Sequence, residues 1–138
     1  MSLLDDVTGA LSAGRRAAES LMLDRGTMRR ATGATTQDPD TGSTVPVFAD
    51  LFTSKAKIQT RNLVAREAEV GGRTSTTVRV ELHLPVSAPA VEVGDVWEVT
   101  RVSSLSDMQL LGRKFRVIAP VGKSFATARR LEVEEVVA

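Results

Sequence analysis

Few side chains in this 138-residue chain could carry acid–base, nucleophilic or metal chemistry. There is one histidine, His83, and no cysteine. Nucleophilic catalysis needs a base held beside a nucleophile. His83 falls on the polar side of an alternating stretch with Arg79 and Glu81, so a solvated surface is its expected place. One histidine without any thiolate gives no zinc ligand set. Asp38, Asp40, Thr41 and Ser43 are spaced as calcium loops sometimes are, but the glutamate that closes such a loop is absent. A β-turn is expected there instead.

Two carboxylate pairs, Glu19 with Asp24 and Glu67 with Glu69, could do general acid–base work only if burial raised one pKa. Nothing around them suggests burial, and solvated carboxylates are expected. Gly122-Lys123-Ser124 ends like a phosphate-binding loop, but Ile118-Ala119-Pro120-Val121 stands where its glycine-rich half would be. No catalytic residue, cofactor or metal site follows from these patterns, and the chain is expected not to be an enzyme.

One charge pattern stands out. Arg113, Lys114, Arg116, Lys123, Arg129 and Arg130 occupy a stretch with no acidic residue, and the run from Leu131 to Val137 then turns acidic. Such a strip is solvent-side charge on two strands, an interface for another subunit, or a contact for phosphate. These six residues are the candidate interface. Plus and minus strips on one small protein suit a ring in which one subunit's cations meet the next one's anions. Overall, 18 basic and 17 acidic residues leave a net charge of +1. That balance argues against a dedicated nucleic-acid binder, whose affinity comes mostly from phosphate neutralisation. It leaves room for a protein that lines a DNA channel without gripping the DNA.

The elements that must position these residues are mostly strands. Residues 2–20 have helical spacing, with Leu3, Leu4, Val7, Leu11 and Ala18 on one face and Ser2 as a cap. Gly14 interrupts that face, and Gly9 and Gly14 each weaken the helix by about 1 kcal/mol relative to alanine. The helix is expected to lean on a neighbour. Residues 21–36 fit one strand or two short ones, bent at Asp24-Arg25-Gly26. Thr36, Gln37, Asp38, Pro39, Asp40, Thr41, Gly42 and Ser43 form a polar loop between an outgoing strand (27–35) and a returning one (44–49). Further strands are expected at 54–60, 78–84, 96–102, 113–119 and 128–137, with a helical turn near 107–111. Residues 61–73 are expected to be a loop. The fold class expected is mainly β, a small β-barrel of six or seven strands with long loops and one N-terminal helix, as one domain over residues 1–138.

The order of these features resembles a family of small connector proteins encoded among the head genes of actinobacterial siphophages, and more distantly their head-closure, or stopper, proteins. The resemblance rests on Asp24-Arg25-Gly26-Thr27-Met28-Arg29-Arg30, the loop Asp38-Pro39-Asp40-Thr41-Gly42 ahead of Val47-Phe48, and Ser54-Lys55-Ala56-Lys57-Ile58-Gln59. Gly94-Asp95 before a strand and Ser106-Asp107 with Leu110-Leu111-Gly112-Arg113-Lys114-Phe115-Arg116-Val117 complete it. The chain departs from the family pattern at Ser54, where glycine is common, and at Met108, where proline is common.

The resemblance implies a structural virion protein that seals the portal channel after DNA packaging and gives the tail a docking surface. It implies a homo-oligomeric ring of about six or twelve subunits, with the portal or adaptor ring on the head side and the tail terminator or tail tube on the tail side. DNA would pass through the channel without sequence-specific contact, and no membrane or cofactor is involved. The protein would sit at the head–tail interface of the virion, and in the host cytoplasm during assembly. Residues 36–43 are the first candidate for the channel loop and 61–73 the second. The alternatives are a tail terminator or adaptor of the same connector, and a small-barrel nucleic-acid-binding protein.

Overall fold

The computed structural model describes residues 2–62, 78–122 and 124–136. Helix α1 spans Leu3–Ser20. Six strands follow: β1 (Asp24–Gln37), β2 (Thr44–Asn62), β3 (Val78–Leu84), β4 (Val96–Arg101), β5 (Lys114–Val121) and β6 (Arg129–Glu135). A single 3-10 turn, Met108–Leu110, sits between β4 and β5 and is capped by the Asp107 carboxylate, which accepts from Gln109 N–H at 2.9 Å.

All strand pairs are antiparallel. The pairing order is β1-β2-β3-β6-β5-β4, and β4 returns to β1. The seam is thinnest between β4 and β5, where three residue pairs hold it: Val96 with Arg116, Trp97 with Phe115 and Glu98 with Lys114. Alternation puts Leu82, Leu84, Val99, Val117, Leu131 and Val133 inside with Met28, Trp97 and Phe115. Each fully buried leucine here contributes roughly 1.5–3 kcal/mol.

The expected architecture needs correcting. It is not a plain β-barrel of six or seven strands carrying long loops. It is a mixed fold, in which the expected N-terminal helix, eighteen residues long, accompanies a six-stranded antiparallel sheet. More than half of β1 runs outside the rolled part of that sheet, and its last two residues, Thr36 and Gln37, are strand where loop was expected. Residues 21–36 are not divided at Gly26 either, although the β1–β4 register shifts between Arg25 and Gly26. β1 is continuous through it, and Gly26 is there because the Trp97 indole lies across it. A Cβ at position 26 would stand 2.4 Å from the Trp97 ring and 2.5 Å from the Glu98 carbonyl oxygen.

Helix α1 starts with a capping box in which Ser2 and Asp5 satisfy each other's backbone N–H groups. None of its residues is fully buried. Val7, Leu11, Gly14, Arg15, Ala18 and Glu19 form one half-covered stripe, while Leu3 and Leu4 are exposed. Three contacts dock the stripe. Arg15 Nε donates to the Ala126 carbonyl at 3.1 Å, and Glu19 pairs with Lys55 at 3.2 Å. Gly14 faces Thr127, whose Cγ2 lies 2.9 Å from where a Cβ would be. The apparent gap in the apolar face is therefore where α1 comes up against the connection between β5 and β6.

Candidate functional site

The β1–β4 register ends at Arg29 with Val96, whereas β1 and β2 stay paired out to Gln37 with Thr44. β2 meets β3 only from Lys57 onward. Residues 30–37 and 44–49 thus form a two-stranded ribbon beyond the rolled sheet, with both outer edges unpaired among the described residues. At about 3.3 Å per residue the ribbon reaches about 20–25 Å. Every residue from Ala31 to Gln37 is exposed.

Its tip is a stitched turn. Asp38 N–H donates to the Ser43 carbonyl at 2.8 Å, and Gly42 N–H donates to the Asp38 carbonyl at 2.7 Å. The Asp38 carboxylate accepts from Asp40 N–H at 2.9 Å, and Thr41 Oγ1 accepts from Ser43 N–H at 3.3 Å. Of the eight candidate loop residues, Thr36 and Gln37 are strand and only Asp38–Ser43 turn. The second candidate, 61–73, begins inside β2 at Arg61 and Asn62. Its remainder, with Glu67 and Glu69, lies outside the described residues.

The ribbon's root is clamped by arginines. Arg29 donates to the carboxylates of Asp50, at 2.8 Å, and Glu98. Arg30 makes two parallel bonds to Asp95, Nε and Nη2 each at 2.9 Å. Asp95 is 2% exposed and also accepts from Glu92 N–H at 2.9 Å. Sequence spacing did not point to this clamp. Its partners come from β1, β2 and β4 and the turn before β4, and no local pattern links them.

The basic strip does not form one face. Arg116 pairs with Glu134 (Nε–Oε1 3.0 Å) and Arg113 with Glu135 at 3.5 Å. The acidic end of β6 thus neutralises β5 within one chain. Arg129 and Arg130 point to opposite sides of β6, as neighbours in a strand must. Arg129 donates to the carbonyls of Val86, Ala88 and Pro89 and closes the loop after β3. Lys114 is exposed, and Lys123 lies outside the described residues.

His83 is not on a solvated surface. It is 8% exposed, because the end of α1 and residues 127–128 lie over this part of the sheet. It stands in a row across three strands, directly between Lys57 on β2 and Arg130 on β6. Partners in register point to the same side. The row opens on a cavity of about 310 Å³ walled also by Met22, Gln59 and Thr127. His83 Nε2 is 3.0 Å from the Glu81 carboxylate. Burial pushes the His83 pKa down. The Glu81 bond pulls it up, the Arg130 and Lys57 charges push it down further, and the net shift is downward. Arg130 Nε is buried without a hydrogen-bond partner among the described residues. Such an orphan costs about 1–3 kcal/mol.

Asp24 is buried too, contrary to expectation. It accepts from Ser103 N–H at 2.9 Å and Ser106 Oγ at 2.6 Å. It fastens the loop after β4 and forms no pair with Glu19, which is bound to Lys55. Among the described residues no three His, Cys, Asp or Glu side chains converge as a metal site, and no helix is long and apolar enough to cross a membrane.

The model of a family of unknown function, DUF6093, matches residues 14–134. The chain belongs to the DUF6093 family. No curated protein and no solved structure matches it. The DUF6093 match takes in the docked half of α1 and all of β1 to β5, and ends inside β6. The ribbon, its arginine root and the Lys57–His83–Arg130 row therefore all lie within the DUF6093 region. Leu3 and Leu4, the most exposed apolar residues of the helix, lie outside it.

Proposed function

We propose that this chain is a ring-forming structural protein of a phage head-to-tail connector, of the head-closure class, and not an enzyme. The observation that carries the proposal is the ribbon of residues 30–37 and 44–49. A two-stranded arm with a polar tip and a salt-bridged root extends past the core that stabilises it, which suits contact with something outside its own fold. In a ring, such arms from successive subunits converge on the axis, where the Asp38–Ser43 turns narrow the channel. The tip carries Asp38 and Asp40 and no cation, so it repels DNA and does not bind it.

The half-covered helix supports the same reading. Its outer side, with Leu3 at 79% and Leu4 at 73% exposed, is suited to a neighbouring subunit or to the portal-side ring. The tail terminator or tail tube would dock on the opposite end. A tail terminator, the nearest alternative, would more often set a second long helix over an open sheet. Among the described residues α1 is the only long helix.

The test is negative-stain imaging of the protein mixed with tail-less, DNA-filled heads of its own phage. Added ring density at the portal vertex, with better DNA retention, is the expected result. Capping of isolated tail tubes without binding to heads would replace this function with that of a terminator. Binding to free DNA alone would overturn the connector reading.

A further inference from the structure

We infer that the cavity between the end of α1 and the β2–β3–β6 face is a binding site for a small oxyanion, held by Arg130 and Lys57 beside His83. This site lies away from the ribbon, and its test needs no ring.

Three observations support it. The first is the row itself. Lys57, His83 and Arg130 are direct cross-strand partners on three adjacent strands, so their side chains leave the sheet on the same side. The second is the composition of the wall. The cavity of about 310 Å³ has Lys57, Arg130, Gln59 and Thr127 in its wall beside apolar residues such as Met22, and no carboxylate residue lines it. Glu81, which bonds His83, belongs to the next row along, with Gln59 and Glu132. The third is Arg130, which lines this cavity and whose Nε, closed off from solvent as the side chain stands, has no partner among the described residues. Buried polar groups in folded proteins almost always have a partner, and a bound water or ion is one way such an exception is completed.

A guanidinium presents Nε and one terminal nitrogen as a planar fork that matches two oxygens of a carboxylate or phosphate. Lys57 adds a point charge from the other end of the row. The oxyanion also answers the positive charge that Arg130 and Lys57 impose on His83.

The experiment is thermal unfolding of the full-length protein at constant ionic strength, with chloride exchanged for inorganic phosphate in one arm and acetate in the other. A saturable rise in Tm, half-complete at roughly millimolar anion, is expected from linkage. Response to phosphate alone assigns a tetrahedral oxyanion, and response to acetate assigns a carboxylate. Arg130→Lys keeps the charge but loses the fork, and Lys57→Met loses the second cation. Each is expected to weaken the apparent affinity about tenfold. NMR of the unsubstituted protein gives a second readout, in which the His83 ring resonances shift with the same midpoint. A Tm response equal in all three proteins, no saturable response to either anion, or unmoved His83 resonances would each overturn the site.

Discussion

Arg30 and Asp95, 65 positions apart, meet through two parallel bonds of 2.9 Å at the place where β1 leaves the rolled sheet. Asp95 is 2% exposed and belongs to the turn into β4; Arg30 is the first residue of the ribbon. The pair ties the direction of the ribbon to the body of the fold. Replacing Asp95 by Asn keeps the volume but loses the charge-assisted fork. Asp95→Asn is expected to lower Tm by roughly 5–10 °C and to raise amide exchange at residues 30–32 and 47–49. An unchanged exchange pattern would show that the ribbon is oriented by β-pairing alone.

Gly9 and Gly14 should respond in opposite ways to alanine. A Cβ at Gly9 meets nothing within 4 Å, so Gly9→Ala should stabilise by roughly 0.5–1 kcal/mol through helix propensity. A Cβ at Gly14 meets the Thr127 methyl at 2.9 Å, so Gly14→Ala should destabilise by about 1 kcal/mol despite the same propensity gain. In a Thr127→Ser background the clash disappears and Gly14→Ala should become neutral or stabilising. Chemical denaturation of the parent and the four variants decides this, and identical effects at both glycines would contradict the docked position of α1.

His83 gives stability a pH dependence of known sign. Its pKa is lowered in the folded state, chiefly by burial, so the unfolded chain binds the proton more readily. Stability is then complete above the unfolded value of about 6.5 and falls as the pH drops below it toward the lower folded value. His83→Gln should flatten the denaturation midpoint between roughly pH 5 and 7. A wild-type midpoint that rises as pH falls through this window would contradict the burial of the ring.

Shortening the ribbon should separate folding from assembly. Deleting residues 35–45 and joining Ala34 to Pro46 through Asn-Gly removes the tip and the outermost ribbon pairs, none of them fully buried. Tm should stay within about 3 °C of the parent, while DNA retention by reconstituted heads is lost. A variant that still seals heads would remove the ribbon from the closing role.

Period-two alternation over 78–84 and 128–137 anticipates the inward side of two strands: Leu82, Leu84, Leu131 and Val133 all lie in the core. Ser2 caps the helix and Asp107 the single turn. What the residues alone concealed was long-range. Gly26 resembled a bend because its true reason, the Trp97 ring lying across it, comes from a strand far along the chain. Asp24 resembled an ordinary surface carboxylate, and Asp95 only part of a turn, because their partners are the distant Ser103, Ser106 and Arg30. His83 alternates outward correctly, but outward on this sheet means under a helix. The six-residue basic strip appeared continuous because strands β5 and β6 were read one at a time. Across the pair, Glu134 and Glu135 answer Arg116 and Arg113.

The pairing of β3 with β6 has a consequence for biosynthesis. Strand β3 has β2 beside it early, but its other neighbour is the last strand of the six. While everything from Leu84 to Arg129 is being translated, the Val80–Leu84 edge offers open backbone donors and acceptors to any passing strand. A nascent chain stalled or cleaved before Leu131 is thus a template for another copy of itself, and yields of soluble protein should depend more on the integrity of β6 than on any residue of the helix.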